Sequence, residues 1–309
     1  QDSRASAYIP TSGSAVTVTT TLNDTHNAWD YDSANLTLEE DPDSEGSWER
    51  PSNVVLNHDF ADLGGELVTN GDFNISGALA GNSYTLGWRS GDGGLTIANG
   101  VLNLHNNGSG FVGRAYATNG INSYSNVLIT GKTYKISYEV TENIANSTLY
   151  AYLGAFIAVD KTVGIHTTYI TATTHFFLFR NGSSDTTIKI DNVSIKQVDP
   201  NDRWTKSAEW SISEGKATCS GGASKTLYQS NILPLGTLYE IKFTVSSYTS
   251  GYLSAFSGDW DALGVIDSVG TFVRRSVSLG TNTGLVGNSF IGTVDNITVK
   301  EYAAMPLDV

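Results

Sequence analysis

The sequence predicts an all-β protein in which two tandem β-sandwich (jelly-roll) domains follow an extended N-terminal arm. Three observations favour this fold. Apolar and polar residues alternate over many short stretches, with Gly and Asn turns between them. One long alternating stretch and one closing stretch each occur twice in the chain. No stretch has a convincing helical period, so many short strands of the kind found in sandwiches and jelly rolls account for the pattern.

The length supports this division into domains. A chain of 309 residues is long enough for two or three domains, each with its own core. The pattern predicts an N-terminal arm or linker at residues 1–62, a first β-sandwich at 63–199, a second at 200–303 and a C-terminal tail at 304–309.

Charge and composition exclude several classes of partner. The net charge is −13 and no cluster of Lys and Arg occurs, which argues against nucleic-acid binding. No apolar run approaches the roughly twenty residues that a membrane-spanning helix needs, so we expect no membrane insertion. The chain begins with Gln and without the layout of a signal peptide, so we expect a processed product or part of a longer protein.

The N-terminal 62 residues have a different character. The stretch Thr37–Ser52 holds six acidic residues and two prolines and should be extended or loop-like. Two interpretations stay open for this region. It is either a solvated linker or an arm that orders against a neighbouring subunit, where the isolated aromatic residues Trp29, Tyr31 and Trp48 would find a contact.

Two hairpins are predicted at matching places in the two domains. The stretches LTIANGVLNL and EWSISEGKATC each place a two-residue turn between alternating runs, Asn99-Gly100 in one and Glu214-Gly215 in the other. A turn that ends in Gly between such runs is a strong hairpin signal. The single cysteine, Cys219, then faces inward as a small core residue.

The central strands are the clearest part of the repeat. GKTYKISYEV (131–140) and GTLYEIKFTV (236–245) alternate with period two, which predicts one buried and one solvated face. The inward residues are Tyr134, Ile136, Tyr138 and Val140 in the first stretch and Tyr239, Ile241, Phe243 and Val245 in the second.

The closing stretches, KIDNVSIKQV and TVDNITVKEY, predict a bulge. The apolar residues change from even to odd positions across Asp191-Asn192, and the same change occurs across Asp295-Asn296. Such a change would turn the later residues out of the core unless one extra residue is absorbed. Asp and Asn suit this place because their side chains bond to nearby backbone groups.

The first domain resembles the jelly-roll carbohydrate-binding modules found beside xylanases and cellulases. The resemblance covers roughly residues 65–199 and rests on ELVTNGDF, Trp88, GKTYKISYEV and IDNVSIKQV. Residues 200–303 resemble related modules repeated in bacteriophage tail and virion proteins. RASAYIPTSGSAVT (4–17) resembles the last strand of concanavalin-like domains in phage structural proteins. The resemblance implies a β-sandwich and leaves the ligand open.

The resemblance also implies a structural calcium ion in each domain. Modules of this kind often hold Ca²⁺ between an early acidic segment and the Asp of the closing strand, and Ca²⁺ takes oxygen ligands. Asp72 stands near the early position, and Asp191 and Asp295 stand at the closing one. Asn74 occupies a place where an acidic residue is usual. The alternative is that the closing Asp residues serve only the bulge.

Sugar binding would rely on aromatic side chains that stack on pyranose faces, with polar neighbours for the hydroxyl groups. The candidates are Tyr150 and Tyr152 in the first domain and Tyr252, Asp259, Trp260 and Asp261 in the second. Each aromatic residue has packing in the core or against a neighbour as its alternative role. Trp88 and Trp210 are expected in the cores.

No catalytic motif is found, and scattered histidines and loop carboxylates do not form a catalytic pattern, so we expect no enzyme. The leading hypothesis is a bacteriophage fibre or decoration protein at the virion surface. Its partners would be other virion proteins and a host surface glycan, in a homo-oligomer. One alternative is a purely structural capsid or tail decoration protein. Another is an accessory carbohydrate-binding module of a secreted bacterial polysaccharide-degrading enzyme.

Overall fold

A computed structural model describes residues 53–79, 87–90, 95–108, 114–117, 127–145, 147–258 and 263–302. The described residues form β-strands joined by turns and contain no helix, which confirms the all-β prediction. The predicted arm up to residue 52 and the tail from residue 303 lie outside the described residues. We call residues 63–199 the first unit and residues 200–302 the second unit.

The first unit is built from two facing antiparallel sheets. A six-stranded sheet has the order β1-β3-β4-β11-β6-β9, and a five-stranded sheet has the order β2-β5-β10-β7-β8. Inner residues of both sheets share one hydrophobic cluster, which makes the unit a β-sandwich. The strands are β1 Gly77–Leu79, β2 Trp88–Ser90, β3 Leu95–Ala98, β4 Val101–Asn106, β5 Arg114–Ala117, β6 Thr133–Ile144, β7 Leu149–Tyr152, β8 Phe156–Val159, β9 Gly164–Thr171, β10 Leu178–Asn181 and β11 Thr186–Gln197.

The second unit repeats this arrangement with two very long strands. Its strands are β12 Thr205–Lys206, β13 Trp210–Ser213, β14 Lys216–Ser220, β15 Lys225–Gln229, β16 Leu238–Ser257, β17 Gly270–Val277 and β18 Thr283–Glu301. β15 pairs with residues 283–287 of β18, as β5 pairs with β10, and β14 pairs with residues 291–294, as β4 pairs with β11. Strand β18 therefore takes the places of both β10 and β11.

Strand β16 likewise takes the places of β6 and β7. The two long strands turn together near Gly251, which has a φ of 73°, and Ser289, which has a φ of 51°. A Cβ atom on Gly251 would lie 2.1 Å from the Ser289 carbonyl oxygen, so the close approach of these backbones requires glycine.

The two units have separate hydrophobic cores among the described residues. The alternating residues of 131–140 and 236–245 are all buried, each set in the core of its own unit. Trp88 and Trp210 are core residues, and so is Cys219, whose burial raises the pKa of its thiol. These results confirm the period-two interpretation of both stretches.

The hairpins and bulges lie where the sequence predicts them. Asn99-Gly100 joins β3 to β4 and Glu214-Gly215 joins β13 to β14, with positive φ at all four residues. At each Asp-Asn pair, the register advances three residues along the closing strand and two along its partner. The Oδ1 atom of each Asp accepts a hydrogen bond from the backbone N–H of the next Asn at 2.7 Å.

A short entry segment precedes the strands of each unit, and the two segments are adjacent in sequence. Residues 55–60 read VLNHDF and residues 68–73 read VTNGDF. In the first unit, the Val193 N–H donates to the Gly71 carbonyl at 2.8 Å. In the second, the Ile297 N–H donates to the His58 carbonyl at 2.9 Å. The entry segment of the second unit therefore comes before the whole first unit in the chain.

A tryptophan closes each entry segment in the same way. The Trp88 indole N–H donates to the Asn70 carbonyl at 3.2 Å, and the Trp204 indole N–H donates to the Asn57 carbonyl at 2.9 Å. Residues 53–60, which the sequence pattern places in the arm, thus contact the second unit. The predicted domain boundaries themselves stay a prediction.

Candidate functional site

The outer side of the five-stranded sheet in the first unit carries a cluster of aromatic rings. The strands of this sheet are short, and Ala115, Ala151 and Phe179 point inward and are fully buried. The residues beside them in the strands therefore point away from the core. We call the outward cluster the aromatic face, and it consists of Tyr116, Tyr150, Tyr152, Phe156 and Phe176.

Strand register brings these residues together from distant parts of the chain. Tyr116 on β5 lies opposite Leu178 on β10, Leu178 lies opposite Tyr152 on β7, and Tyr152 lies opposite Phe156 on β8. Side chains that are directly opposite on one face of a sheet are close enough to interact. The row crosses four strands, and Leu178 in its middle is buried.

The rings of the aromatic face contact one another in sequence. Tyr152 stacks on Phe176 with centroids 5.3 Å apart and planes 18° apart, and it lies 4.8 Å from Phe156. Tyr116 lies 5.9 Å from Phe176, and Tyr150 lies 6.1 Å from Phe156. Phe156 is 41% exposed and both Tyr150 and Tyr152 are half-buried, so these side chains are held in place and still reach the surface.

Arginine side chains border the rings. The Arg180 guanidinium lies over the Phe156 ring at 4.8 Å, and the Arg89 guanidinium lies over the Tyr116 ring at 4.9 Å. Arg114 on β5 is opposite Arg180 on β10. Cation–π contacts of this kind fix both partners and leave the planar guanidinium beside the aromatic surface.

The matching surface of the second unit differs in composition and burial. Gly284 lies opposite both Tyr228 and Phe256, as Leu178 lies opposite Tyr116 and Tyr152. Phe256 thus takes the place of Tyr152, and Ser254 takes the place of Tyr150. Both are buried, with exposed fractions of 0% for Phe256 and 1% for Ser254. The second unit therefore has no counterpart of the half-buried Tyr150–Tyr152 pair at these positions.

Comparisons with known proteins give a weak likeness in fold. No family model and no curated protein matches the chain. Among solved structures, the chain is similar to the N-terminal CBM22-1–CBM22-2 tandem domain of Xyn10C from Paenibacillus barcinonensis. The identity is 12%, the match covers 78% of this chain and 99% of that one, and the TM-score is 0.31. It also matches AerE from Microcystis aeruginosa at 14% identity, over 56% and 80% of the chains, with a TM-score of 0.15. TM-scores this low establish neither a shared ligand nor a shared function.

The structure places three of the predicted sugar-binding residues. Tyr150 and Tyr152 lie in the aromatic face. Tyr252 is 39% exposed and lies opposite Asn288 in the second unit, away from that face. The remaining candidates, Asp259, Trp260 and Asp261, lie outside the described residues. A sugar-binding role for all six residues stays a prediction.

Sequence reasoning missed several members of the same surface. Tyr116, Phe156 and the Phe176–Arg180 stretch come from three separate segments, and only strand pairing and ring contacts show that they are neighbours. The available signal was weak: RAYA and LFRN are short stretches with large side chains at alternate positions. Without the strand order, those side chains could not be assigned to one surface.

The predicted calcium position of the first unit contains carboxylates that are already hydrogen-bonded. Burial, with the nearby charges of Glu139 and Asp72, raises the pKa of Asp191. The Asn74 amide donates to Asp72 at 2.6 Å, and the Asn192 amide donates to Glu139 at 2.8 Å. A calcium ion bound through Asp72 and Glu139 would compete with both amide donors.

In the second unit, Asp295 lies opposite Thr244, so the counterpart of Glu139 is not a carboxylate. Among the residues that the structure describes, no group of three or more His, Cys, Asp or Glu side chains is arranged to hold a metal ion. Calcium binding at Asp72, Asp191 and Asp295 stays a prediction.

Among the described residues, no helix has the length and apolar character needed to cross a membrane.

Proposed function

We propose that the first unit binds a polysaccharide on its aromatic face. Sugar rings present flat apolar C–H faces, and aromatic side chains offer flat partners of similar size at low conformational cost. The observation that supports the proposal is the half-exposed pair Tyr150 and Tyr152, held by Phe156 and Phe176 on the outside of a rigid sheet. Sites built on strands hold such groups more accurately than sites on loops do.

Phe156 is 41% exposed and Tyr150 and Tyr152 are half-buried on the outer side of the sheet, which suits a chain of sugars better than a small enclosed molecule. The ring contacts extend from Tyr116 on β5 to Phe156 on β8, across neighbouring strands about 4.8 Å apart. Several consecutive sugar units can lie along such a row. Affinity for one sugar would be modest, and several contacts along one polymer would add to it.

Alanine substitution of the tyrosines tests the proposal. We expect Tyr150→Ala and Tyr152→Ala to weaken polysaccharide binding at least about tenfold each, which corresponds to about 1.4 kcal/mol. Binding of the 309-residue chain can be measured by affinity gel electrophoresis against xylan, β-glucan, mannan and polygalacturonate. Tyr302→Ala is the matched control, because that ring lies under Arg275 in the second unit. Equal binding by all three variants and the parent protein would refute the proposal.

We further propose that this binding attaches a bacteriophage particle to a glycan on its host. The other partners would be virion proteins, and repeated copies on the particle would turn weak single contacts into firm attachment. The support is the resemblance of the second unit to modules of phage tail and virion proteins. Cryo-electron microscopy of the assembled particle tests it, since the aromatic face should point to solvent.

Two outcomes would replace this setting with another. If the aromatic face is covered by other virion proteins, the chain is a structural decoration protein and not a receptor-binding one. If a catalytic domain is encoded in the same reading frame, the chain is an accessory module of a polysaccharide-degrading enzyme. The second outcome would leave sugar binding by the aromatic face intact.

A further inference from the structure

The sheet that carries the aromatic face also concentrates positive charge. Its strands β2, β5, β7, β8 and β10 contain Arg89, Arg114 and Arg180 and no Asp or Glu. This is unusual for a chain with a net charge of −13. The positive side chains therefore lie on the sheet whose outer side holds the tyrosines, within an otherwise acidic protein.

Arg180 is the arginine best placed to meet a ligand. It follows Phe179, which points into the core, and lies opposite Tyr150 in the neighbouring strand. Its side chain is half-buried, with the guanidinium over the half-exposed edge of the aromatic face at Phe156, and its Nε–H is buried without a hydrogen-bond partner among the residues that the structure describes. An arginine keeps its charge under all physiological conditions, so its guanidinium beside the half-exposed rings favours an anionic ligand.

The second unit shows that the fold does not require these arginines. Thr205 takes the place of Arg89, because Thr205 lies opposite Tyr228 as Arg89 lies opposite Tyr116. Val286 and Thr226 lie opposite each other and take the places of Arg180 and Arg114. The same strand register thus forms in the second unit with uncharged residues at all three places. The strand register of this sheet therefore does not depend on the three charges.

We propose that the aromatic face is selective for anionic polysaccharides, whose carboxylate or sulfate groups pair with Arg180 while sugar rings stack on Tyr150 and Tyr152. This inference rests on the proposed function and adds the class of polysaccharide to it. The planar guanidinium matches a carboxylate or a sulfate through two parallel N–H donors. The neighbouring Arg114 adds long-range attraction for the same ligands.

The test compares ligands that differ only in charge. Oligogalacturonate and its fully methyl-esterified form share one backbone, and heparin supplies sulfate groups. Isothermal titration calorimetry with the 309-residue chain should show at least about tenfold tighter binding of the charged form, since a charge-assisted pair is among the stronger contacts in a site. This preference should shrink as salt rises, because salt screens charges at a surface.

Two matched variants separate a specific contact from general attraction. Arg180→Met keeps an unbranched side chain over Phe156 and removes the charge, so the ratio of the affinities for the charged and the esterified form should fall to about one. Arg275→Met removes the same charge from the second unit, where Arg275 pairs with Glu240 at 2.6 Å, and should leave the preference intact. Circular dichroism confirms that both variants are folded.

The outcomes distinguish this inference from the function on which it rests. Equal affinity of the parent protein for the charged and esterified forms would overturn anion selectivity and leave glycan binding standing. Equal loss of preference in both variants would also overturn it, because general attraction would then explain the effect. Heparin binding without oligogalacturonate binding would assign sulfate as the anion. If the protein binds none of these ligands and no neutral polysaccharide either, the proposed function fails as well.

Discussion

The two units are made of the same parts and differ on their outer surfaces. Each has an entry segment, a tryptophan that closes it, a hairpin with two positive φ values and an Asp-Asn bulge before its last residues. On the outer side of the smaller sheet, however, the first unit has half-exposed Tyr150 and Tyr152, and the second has buried Ser254 and Phe256.

This difference shows which positions the fold constrains. Inward positions must be apolar in both units because they fill a close-packed interior. Outward positions in the same register accept Tyr or Ser, and Arg or Val, without a change in strand pairing. The residues proposed to bind therefore occupy positions whose identity the strand pairing does not fix.

The largest expected effect tests whether the second unit depends on a segment that precedes the first. Phe60 is buried against Trp204, with ring centroids 5.1 Å apart, and Phe73 is buried against Trp88 at 5.5 Å. We expect Phe60→Ala to destabilise the second unit by about 3–5 kcal/mol, because it leaves a cavity in a packed core. Phe73→Ala should do the same to the first unit.

Hydrogen exchange resolved by mass spectrometry checks this prediction. Phe60→Ala should lower amide protection in β16 and β18 and spare β6 and β11, and Phe73→Ala should give the reverse pattern. Loss of protection confined to β6 and β11 in Phe60→Ala would contradict the assignment of residues 53–60 to the second unit.

A second prediction concerns the long strands that only the second unit has. Gly251→Ala should lower the free energy of unfolding by at least about 2 kcal/mol. The new Cβ would clash with the Ser289 backbone, and alanine is also strained at the positive φ of this position. Gly236→Ala is the control: its φ is 77°, but open space surrounds its added Cβ, so only the backbone strain applies. Chemical denaturation measures both. A cost no larger for Gly251→Ala than for Gly236→Ala would show that the strands do not approach closely there.

The smallest effect concerns the bulges. The pKa of Asp191 is raised in the folded state, so its ionised form costs stability once the pH exceeds that raised value, and costs nothing below the ordinary value of 3.8. Asp191→Asn keeps the side-chain oxygen that accepts from Asn192. It should stabilise the protein at pH 7 by about 0.5 kcal/mol or less, and the gain should vanish by pH 3.

Asp295→Asn provides the comparison in the second unit. Thr244 stands there in place of Glu139, so we expect little change from this substitution. Thermal unfolding at pH 7 and pH 3, with EDTA and then with calcium, gives the readout. A loss of stability in Asp191→Asn that occurs only with calcium would instead show that the carboxylate holds the ion.

Local chemistry explains why much of the fold could be predicted. Asn99-Gly100 and Glu214-Gly215 form the expected turns because Gly, and Asn at one of them, tolerates positive φ. The change of parity at Asp191 and Asp295 requires a bulge wherever the strand lies. Each of these predictions depends only on residues within a few positions of one another.

The entry segments show where such reasoning ends. The motif V-x-N-x-D-F occurs at 55–60 and again at 68–73 and is visible in the sequence. Nothing local indicates that the earlier copy pairs with Ile297 and the later one with Val193. That choice is made by contacts between residues more than a hundred positions apart, which residue patterns do not encode.

The sequence by itself determined the strands, their inward faces, the hairpins and the bulges, because steric limits and burial act on neighbouring residues. Only the tertiary structure decided that Tyr116, Tyr150, Tyr152 and Arg180 share one surface, because long-range pairing of β5, β10 and β7 sets that neighbourhood. It also decided that the matching surface of the second unit is buried. Residues become a site only when strand order brings their outward faces together.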